Sequence, residues 1–110
     1  MNTSEAICEV VITAPDPEWL ATFTRRLVDE RLCASGHVIT QVRSLYRWQG
    51  QIYDRPEGRV ALHTRVSLLT EIVRLTTSIH EYEVPCVVAT PIIGGNPDYI
   101  QWVLAETADA

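Results

Sequence analysis

The side chains best suited to bind a metal ion are three histidines, His37, His63 and His80. They lie far apart in sequence and none belongs to a close pair such as H-x-H, so each alone is more typical of a surface or interface residue. Only His80 has carboxylates close by, and Glu81 and Glu83 would lie about 7 Å apart on one face of an extended segment. Imidazole and carboxylate ligands suit Cu(II) or Zn(II). The sequence therefore predicts a candidate cation site at His80, Glu83 and Glu81.

Such a site should be weak, or completed by a ligand across a subunit boundary. One short segment offers two or three ligands, whereas a closed tetrahedral site needs four. Binding should weaken as the pH falls through about 6.5, because a protonated imidazole has no lone pair for the metal. We therefore predict no obligatory cofactor, and the alternative is that His80 has a purely structural role.

Motifs of the common enzyme classes are absent from the sequence. There is no G-x-S-x-G, no phosphate-binding loop, no G-x-G-x-x-G and no H-E-x-x-H. No spacing assembles a nucleophile with a base, so we predict that the protein is not an enzyme. The remaining enzymatic alternative is a site at a subunit interface with His63 or His80 as the base.

The segment from Val38 to Val66 organises the chain, because its pattern indicates one unusually long β-hairpin. Gln49-Gly50 supplies the two-residue turn, and Pro56 with Gly58 predicts a bulge in the returning strand. A period of two predicts one shared face for Val38, Val42, Tyr46 and Trp48.

The far end of this hairpin is too long for one domain to cover. The eleven residues from Val38 to Trp48 span roughly 36 Å, whereas a domain of this size has a radius of gyration near 13 Å. We predict that another subunit covers the tip, and the alternative is an arm folded back on its own domain. The residues predicted to pack in the hairpin or between subunits are Tyr46, Trp48, Gly50, Ile52, Tyr53, Tyr99 and Trp102.

The remaining elements give the order β-α-β-β-α-β with a terminal helix. This order indicates an α+β fold of the ferredoxin-like type, with two helices on one face of an antiparallel sheet. The predicted boundaries are a strand over Ala6–Thr13, a helix capped by Asp16 and ended by Gly36, a helix capped by Ser67, a strand over Cys86–Ala89 that runs on through Ile93, and a helix capped by Asn96.

Composition limits the class of protein. The 110 residues, 46% hydrophobic, suit one domain over 1–110. A net charge of −5 and nine scattered arginines argue against a nucleic-acid partner, and no apolar run is long enough for a membrane span. The segment Met1–Glu9 lacks the features of a signal peptide. The three cysteines are predicted to be reduced thiols that are mostly buried. These features predict a cytoplasmic protein.

Several runs of residues point to a known family. SLYRWQGQI at 44–52, HEYEVP at 80–85 and GNPDYIQWV at 95–103 resemble the CutA divalent-cation tolerance family, as do VVITAPDPE at 10–18 and LVDERLCAS at 27–35. The resemblance runs from Ile7 to Val103. It implies a ferredoxin-like subunit that forms a compact homotrimer through its long hairpins, and a non-enzymatic role in tolerance to divalent metals such as copper.

The chain also departs from this family. Ser35 and Ile12 stand where members carry cysteines, and His63 stands where many have lysine. A thiolate site for Cu(I) that depends on those cysteines is therefore not expected. His80 and Glu83 match the family motif, and the additional ligands peculiar to this sequence are His37, His63 and Glu81.

The resemblance leaves one alternative function open. Signalling proteins of the PII type resemble this family in fold and assembly, so a regulatory trimer could bind a small effector or a partner protein at clefts between subunits. The bare turn at Gln49-Gly50 counts against it, because the hairpin has no long loop to carry a signal.

Overall fold

The computed structural model describes residues 5–108 as a four-stranded antiparallel sheet with three α-helices, in the strand order β2-β3-β1-β4. The elements are β1 Ile7–Ala14, α1 Pro17–Asp29, β2 Ser35–Trp48, β3 Gln51–Arg65, α2 Leu69–Ile79, β4 Val87–Ile92 and α3 Pro97–Glu106. This arrangement confirms the predicted α+β, ferredoxin-like fold class. Part of the Met1–Glu9 segment lies outside the described residues, and the single domain over 1–110 stays a prediction.

The main core lies between the sheet and the helices α1 and α2. Strand alternation buries Val10 and Ile12 of β1 and Val60 and Leu62 of β3. From the helices, this core receives Leu20, Phe23, Leu27, Ile72 and Leu75. A smaller cluster of Ile7, Ala34, Val103 and Leu104 packs α3 against the other face of the sheet. None of the helices within residues 5–108 combines the length and apolar character that a membrane span needs.

Helix α1 begins as predicted but ends earlier. The Asp16 side chain accepts a hydrogen bond from the Glu18 N–H at 2.9 Å, which confirms the cap. The helix ends at Asp29, and Arg31 takes the left-handed conformation that Gly36 was predicted to supply, with φ 61°. The Arg31 guanidinium donates to the backbone oxygens of Ala105 and Glu106 at 2.8 and 3.1 Å. Contacts with α3 therefore hold the residue that ends α1.

Gly36 instead belongs to β2, where it allows α1 to approach the sheet. A Cβ at this position would lie 2.4 Å from Thr24 Cγ2 and 3.0 Å from Leu62 Cδ2. We expect Gly36→Ala to lower the free energy of unfolding by about 1–3 kcal/mol, because the added methyl overpacks the core. Gly94→Ala is the matched control, since nothing lies within 4 Å of its added Cβ. Equal denaturant midpoints for the two variants would show that the contact relaxes freely.

Helix α2 lacks the predicted serine cap. A 3-10 turn over Val66–Leu68 precedes it, and no side chain caps Leu69–Ile79. The Ser67 hydroxyl donates to Glu5 Oε1 at 2.9 Å instead. The Ser67 prediction is therefore wrong, because a long-range carboxylate takes the hydroxyl. The Asn96 cap of α3 is confirmed, with the Asp98 N–H donating to its side chain at 3.0 Å.

The three cysteines are free thiols with different exposure. Cys8 and Cys33 are buried, as predicted, whereas Cys86 is exposed. Burial raises the pKa of the Cys33 thiol to about 12, so its thiolate is negligible at neutral pH. This thiol is not poised to be a soft metal ligand.

The hairpin is more continuous than predicted, and its bulge lies on the other strand. Strand β3 runs unbroken through Pro56 and Gly58. Pro56 lies beyond the end of β1, where β3 pairs only with β2 and can spare an N–H. The register changes in β2, where Thr40 and Gln41 together oppose Gly58.

This bulge moves the outer half of β2 to the opposite face. Val38 pairs with Val60, and Val42 pairs with Glu57. Because Val60 and Glu57 are an odd number of positions apart in β3, their side chains lie on opposite faces of the sheet. Val38 therefore faces the helices, whereas Val42 and Tyr46 face the other way. The predicted shared face is therefore wrong for Val38, whereas Val42, Tyr46 and Trp48 do share one face.

Candidate functional site

The hairpin turn is formed by two residues with left-handed backbones. Gln49 has φ 49° and Gly50 has φ 80°, the combination that a tight type I′ turn requires. Next to the turn, Tyr46 and Tyr53 stack across the two strands with ring centres 5.3 Å apart. The Arg55 guanidinium lies 4.9 Å from the centre of the Tyr53 ring, a cation–π distance. Stacking and cation–π contacts therefore connect the two strands next to the turn.

Apolar side chains remain exposed around this tip. Leu45 is 63% exposed, Ile52 68% and Trp48 37%. The described chain measures 50 × 24 × 22 Å, with a radius of gyration of 14.6 Å against about 13 Å for a compact domain of this length. The tip thus offers an apolar surface for association. At the other predicted contact, Tyr99 and Trp102 have ring centres 5.5 Å apart and Trp102 is exposed.

His80 lies at the end of α2 with both ring nitrogens in hydrogen bonds. Nε2 is 2.8 Å from the backbone oxygen of Thr13, and Nδ1 is 2.9 Å from the backbone N–H of Tyr82. A carbonyl oxygen only accepts and an N–H only donates, so Nε2 carries the proton and Nδ1 accepts. The ring also packs edge-on against Trp19, with centres 5.4 Å apart. An ion could reach His80 only after one of these hydrogen bonds breaks.

The two predicted carboxylate ligands do not converge with His80 on a formed site. Glu81 and Glu83 are both exposed. Within residues 5–108, no group of three or more His, Cys, Asp or Glu side chains is arranged to hold a metal ion. Cation binding by His80, Glu81 and Glu83 would therefore need side chains to move, and it stays a prediction.

A buried carboxylate close to this loop was not predicted. Glu57 is only 4% exposed, and its Oε2 accepts a hydrogen bond from the Tyr82 hydroxyl at 2.7 Å. Burial, followed by hydrogen bonds to Tyr46 and Glu57, raises the pKa of the Tyr82 hydroxyl. This pair ties the 80–86 loop to the hairpin.

A second polar cluster lies on the face of the sheet that α3 covers. His63 of β3 is the direct cross-strand partner of both Glu9 in β1 and Ser35 in β2, so all three side chains share one face. His63 Nε2 is 2.9 Å from Glu9 Oε2, and its Nδ1 is 2.6 Å from the Tyr99 hydroxyl. The Tyr99 hydroxyl is also 3.1 Å from Ser35 Oγ. Hydrogen bonds thus run in an unbroken chain from Ser35 to Glu9.

The Glu9 carboxylate determines which group donates in each of these hydrogen bonds. Glu9 accepts, so His63 Nε2 carries the proton, Nδ1 accepts from Tyr99, and the Tyr99 oxygen accepts from Ser35. The His37 ring approaches His63 edge-on, with ring centres 5.4 Å apart. The structure therefore brings His37 and His63 together and leaves His80 apart from them.

Glu9 and Ser35 were not predicted as members of a site. The available signal was that Glu9 is the only charged residue in the apolar strand β1. A lone carboxylate within a strand needs a polar partner on a neighbouring strand. Strand pairing, which decides that His63 is this partner, was not readable locally.

Comparisons with known proteins identify the family of the chain. The profile of the CutA1 divalent ion tolerance protein family matches residues 8–106. The divalent-cation tolerance protein CutA of Thermus thermophilus is 34% identical over 98 residues, which cover 89% of this chain and 95% of that protein. Protein CutA of Mus musculus is 33% identical over 98 residues, and the match covers 89% of this chain but only 55% of the mouse protein.

A solved structure shows the same fold. The crystal structure of CutA1 from Oryza sativa superposes with a TM-score of 0.94 at 30% identity, covering 99% of this chain and 100% of that one. Its likeness extends over the projecting hairpin as well as the sheet, because nearly every residue of both chains is matched. The family match, the sequence relatives and the fold agree, and the chain belongs to the CutA1 divalent ion tolerance family.

Proposed function

We propose that the protein is a non-enzymatic homotrimer of the cytoplasm that acts in tolerance to divalent cations such as copper and binds these ions weakly. Membership of the tolerance family supports the cellular role. The observation that carries the proposed assembly is the projecting hairpin tip, whose apolar side chains Leu45, Trp48 and Ile52 lie exposed on a single chain.

The shape of the chain favours association through this hairpin. The outer part of β3 pairs only with β2, since the pairing with β1 ends at Gly58. A second copy seated there would cover Leu45 and Ile52, and burying such side chains contributes about 1.5–3 kcal/mol each. Identical chains close most simply into a symmetric ring.

Weak cation binding fits the charges and ligands present. The chain has a net charge of −5, and a negative surface attracts cations in general. At His80, an ion must displace a backbone hydrogen bond before it can bind, which lowers the affinity. We prefer this function to a regulatory trimer of the PII type, because the turn at Gln49 and Gly50 has no long loop.

Light scattering coupled to gel filtration tests the assembly. We expect the mass of three chains, with no folded monomer at micromolar concentration, because folding and association through a large apolar interface form one transition. A folded monomer under these conditions would contradict the proposed trimer.

For the cellular role, we expect the gene to raise the Cu(II) concentration that copper-sensitive cells survive. A vector without the gene is the control, and equal survival would contradict that role.

A further inference from the structure

The outer hairpin and the loop that follows α2 carry complementary exposed surfaces. We infer that the hairpin of one copy docks on the 80–86 loop of the next copy, with Arg47 beside Glu81 and Glu83 of the partner subunit. This inference rests on the proposed trimer and assigns the two surfaces that meet in it. A guanidinium beside these carboxylates would also compete with a metal ion at His80, which agrees with weak cation binding.

The first surface, the arm patch, consists of Leu45, Arg47 and Ile52. Arg47 and Ile52 are direct cross-strand partners, and Leu45 lies two positions before Arg47 on the same face of the hairpin. All three side chains are exposed. The Arg47 guanidinium has neither an ion pair nor a hydrogen bond within residues 5–108. The arm patch therefore offers apolar side chains around one uncompensated positive charge.

The second surface, the loop patch, consists of Glu81, Glu83 and Val84, which are all exposed. Neither carboxylate has an ion pair in the part of the chain that the structure describes. A cleft of about 220 Å³ adjoins Glu81, and its lining includes Asp16 and Trp19. The loop patch thus places uncompensated negative charges beside apolar side chains, so its charge is opposite to that of the arm patch.

The loop patch lies at the base of the projecting hairpin of its own chain. The Tyr82 hydroxyl donates to Glu57 of β3 at 2.7 Å and holds the loop there. Arg47 lies opposite Ile52, five residues and roughly 17 Å along β3 from Glu57. An arginine side chain cannot bridge this distance, so Arg47 can meet the loop patch only in another copy.

The charge distribution favours contact between a hairpin and a neighbouring body over contact between two hairpins. Residues 35–65, which form the hairpin, hold five of the nine arginines and two of the fourteen acidic residues, a formal charge of +3. The rest of the chain holds four arginines and twelve acidic residues, a formal charge of −8. Two hairpins would bring like charges together, whereas a hairpin on a neighbouring body joins opposite charges. Contact between two different surfaces repeats around a closed ring, as the proposed trimer requires.

Charge reversal tests this contact in the full chain. We expect Arg47→Glu to lower the midpoint of thermal unfolding by about 5 °C or more, because every contact between subunits then holds like charges. Glu83→Arg should lower the midpoint to a similar extent. Arg25→Glu is the matched control and should unfold close to the wild type. It makes the same change in net charge as Arg47→Glu at an exposed α1 residue, 3.9 Å from Asp29.

The double variant Arg47→Glu/Glu83→Arg decides the partner surface. Opposite charges again meet at every contact, so we expect most of the lost midpoint to return. Salt at about 1 M should reduce the effect of Arg47→Glu, because it screens charges near the surface. If neither Glu83→Arg nor Glu81→Arg restores the midpoint of the Arg47→Glu variant, the arm patch does not dock on the loop patch. If Arg47→Glu alone does not fold, recovery of folding in the double variant supports the contact.

Light scattering separates this inference from the proposed trimer. If the wild type is a trimer and Arg47→Glu unfolds at the same temperature as Arg25→Glu, the hairpin docks elsewhere and the trimer stands without this contact. If the wild type is a folded monomer, the trimer and the contact both fail. Copper survival of cells carrying the gene decides the cellular role separately.

Discussion

Truncation of Trp48 to alanine is expected to lower the free energy of unfolding of the assembled protein by about 3–5 kcal/mol, the usual cost of removing a buried aromatic side chain. In a single chain Trp48 is 37% exposed beside the turn, so the chain itself does not justify so large a loss. The expected effect comes from a neighbouring subunit that covers the hairpin tip in the proposed trimer. The midpoint of thermal unfolding measures it.

Arg74→Ala is the surface control for this prediction. Arg74 pairs with Glu71 on the exposed side of α2, where substitutions usually change stability by no more than about 0.5 kcal/mol. If the Trp48 and Arg74 variants unfold at the same temperature, the tip faces solvent in the assembled protein. The subunit interface would then lie elsewhere on the chain.

Removal of the Tyr82 hydroxyl should produce the second large loss of stability. Tyr82→Phe leaves the buried carboxylate of Glu57 without the donor that lies 2.7 Å from it, and a hydrogen bond to a charged group contributes about 1.5–3 kcal/mol. Tyr53→Phe is the matched control. The Tyr53 ring stacks on Tyr46, and its hydroxyl makes no hydrogen bond within residues 5–108. A loss as small as that of the control would show that water replaces the Tyr82 hydroxyl.

The hydrogen bond between Tyr82 and Glu57 also predicts how the free energy of unfolding changes as the pH becomes alkaline. Burial, together with the hydrogen bonds of Tyr46 and Glu57, raises the pKa of Tyr82 in the folded chain above the ordinary value near 10. A raised pKa favours the protonated form on folding, so this contribution is complete below about pH 10 and declines as the pH rises further. The advantage of the wild type over Tyr82→Phe should therefore be constant from neutral pH to about 10 and shrink above it. A constant difference at higher pH would contradict this account.

The features that depend on neighbouring residues were predictable from the sequence. Asp16 and Asn96 cap their helices, and Gln49 with Gly50 turns the hairpin, because each hydrogen bond or backbone angle involves residues within a few positions. The period of two in the hairpin and the order of helices and strands were enough to predict the fold class. Motifs at the tip and in the 80–85 segment were enough to indicate the family.

Features that depend on distant residues were not predictable in this way. The end of α1 requires Arg31 to reach the carbonyls of α3, more than 70 residues away in sequence. The bulge in β2 inverts the outer hairpin, because the register of a long strand depends on its whole partner and not on its own alternation.

The candidate site shows the same division most clearly. The sequence marked His80 by the carboxylates beside it, but the fold commits both of its nitrogens to backbone groups. The sequence left His63 isolated, and the fold places it between Glu9 and Ser35, with Glu9 54 residues away. Local sequence determines which side chains are available. Only strand pairing determines which of them meet, because the sheet joins residues whose separation along the chain carries no local signal.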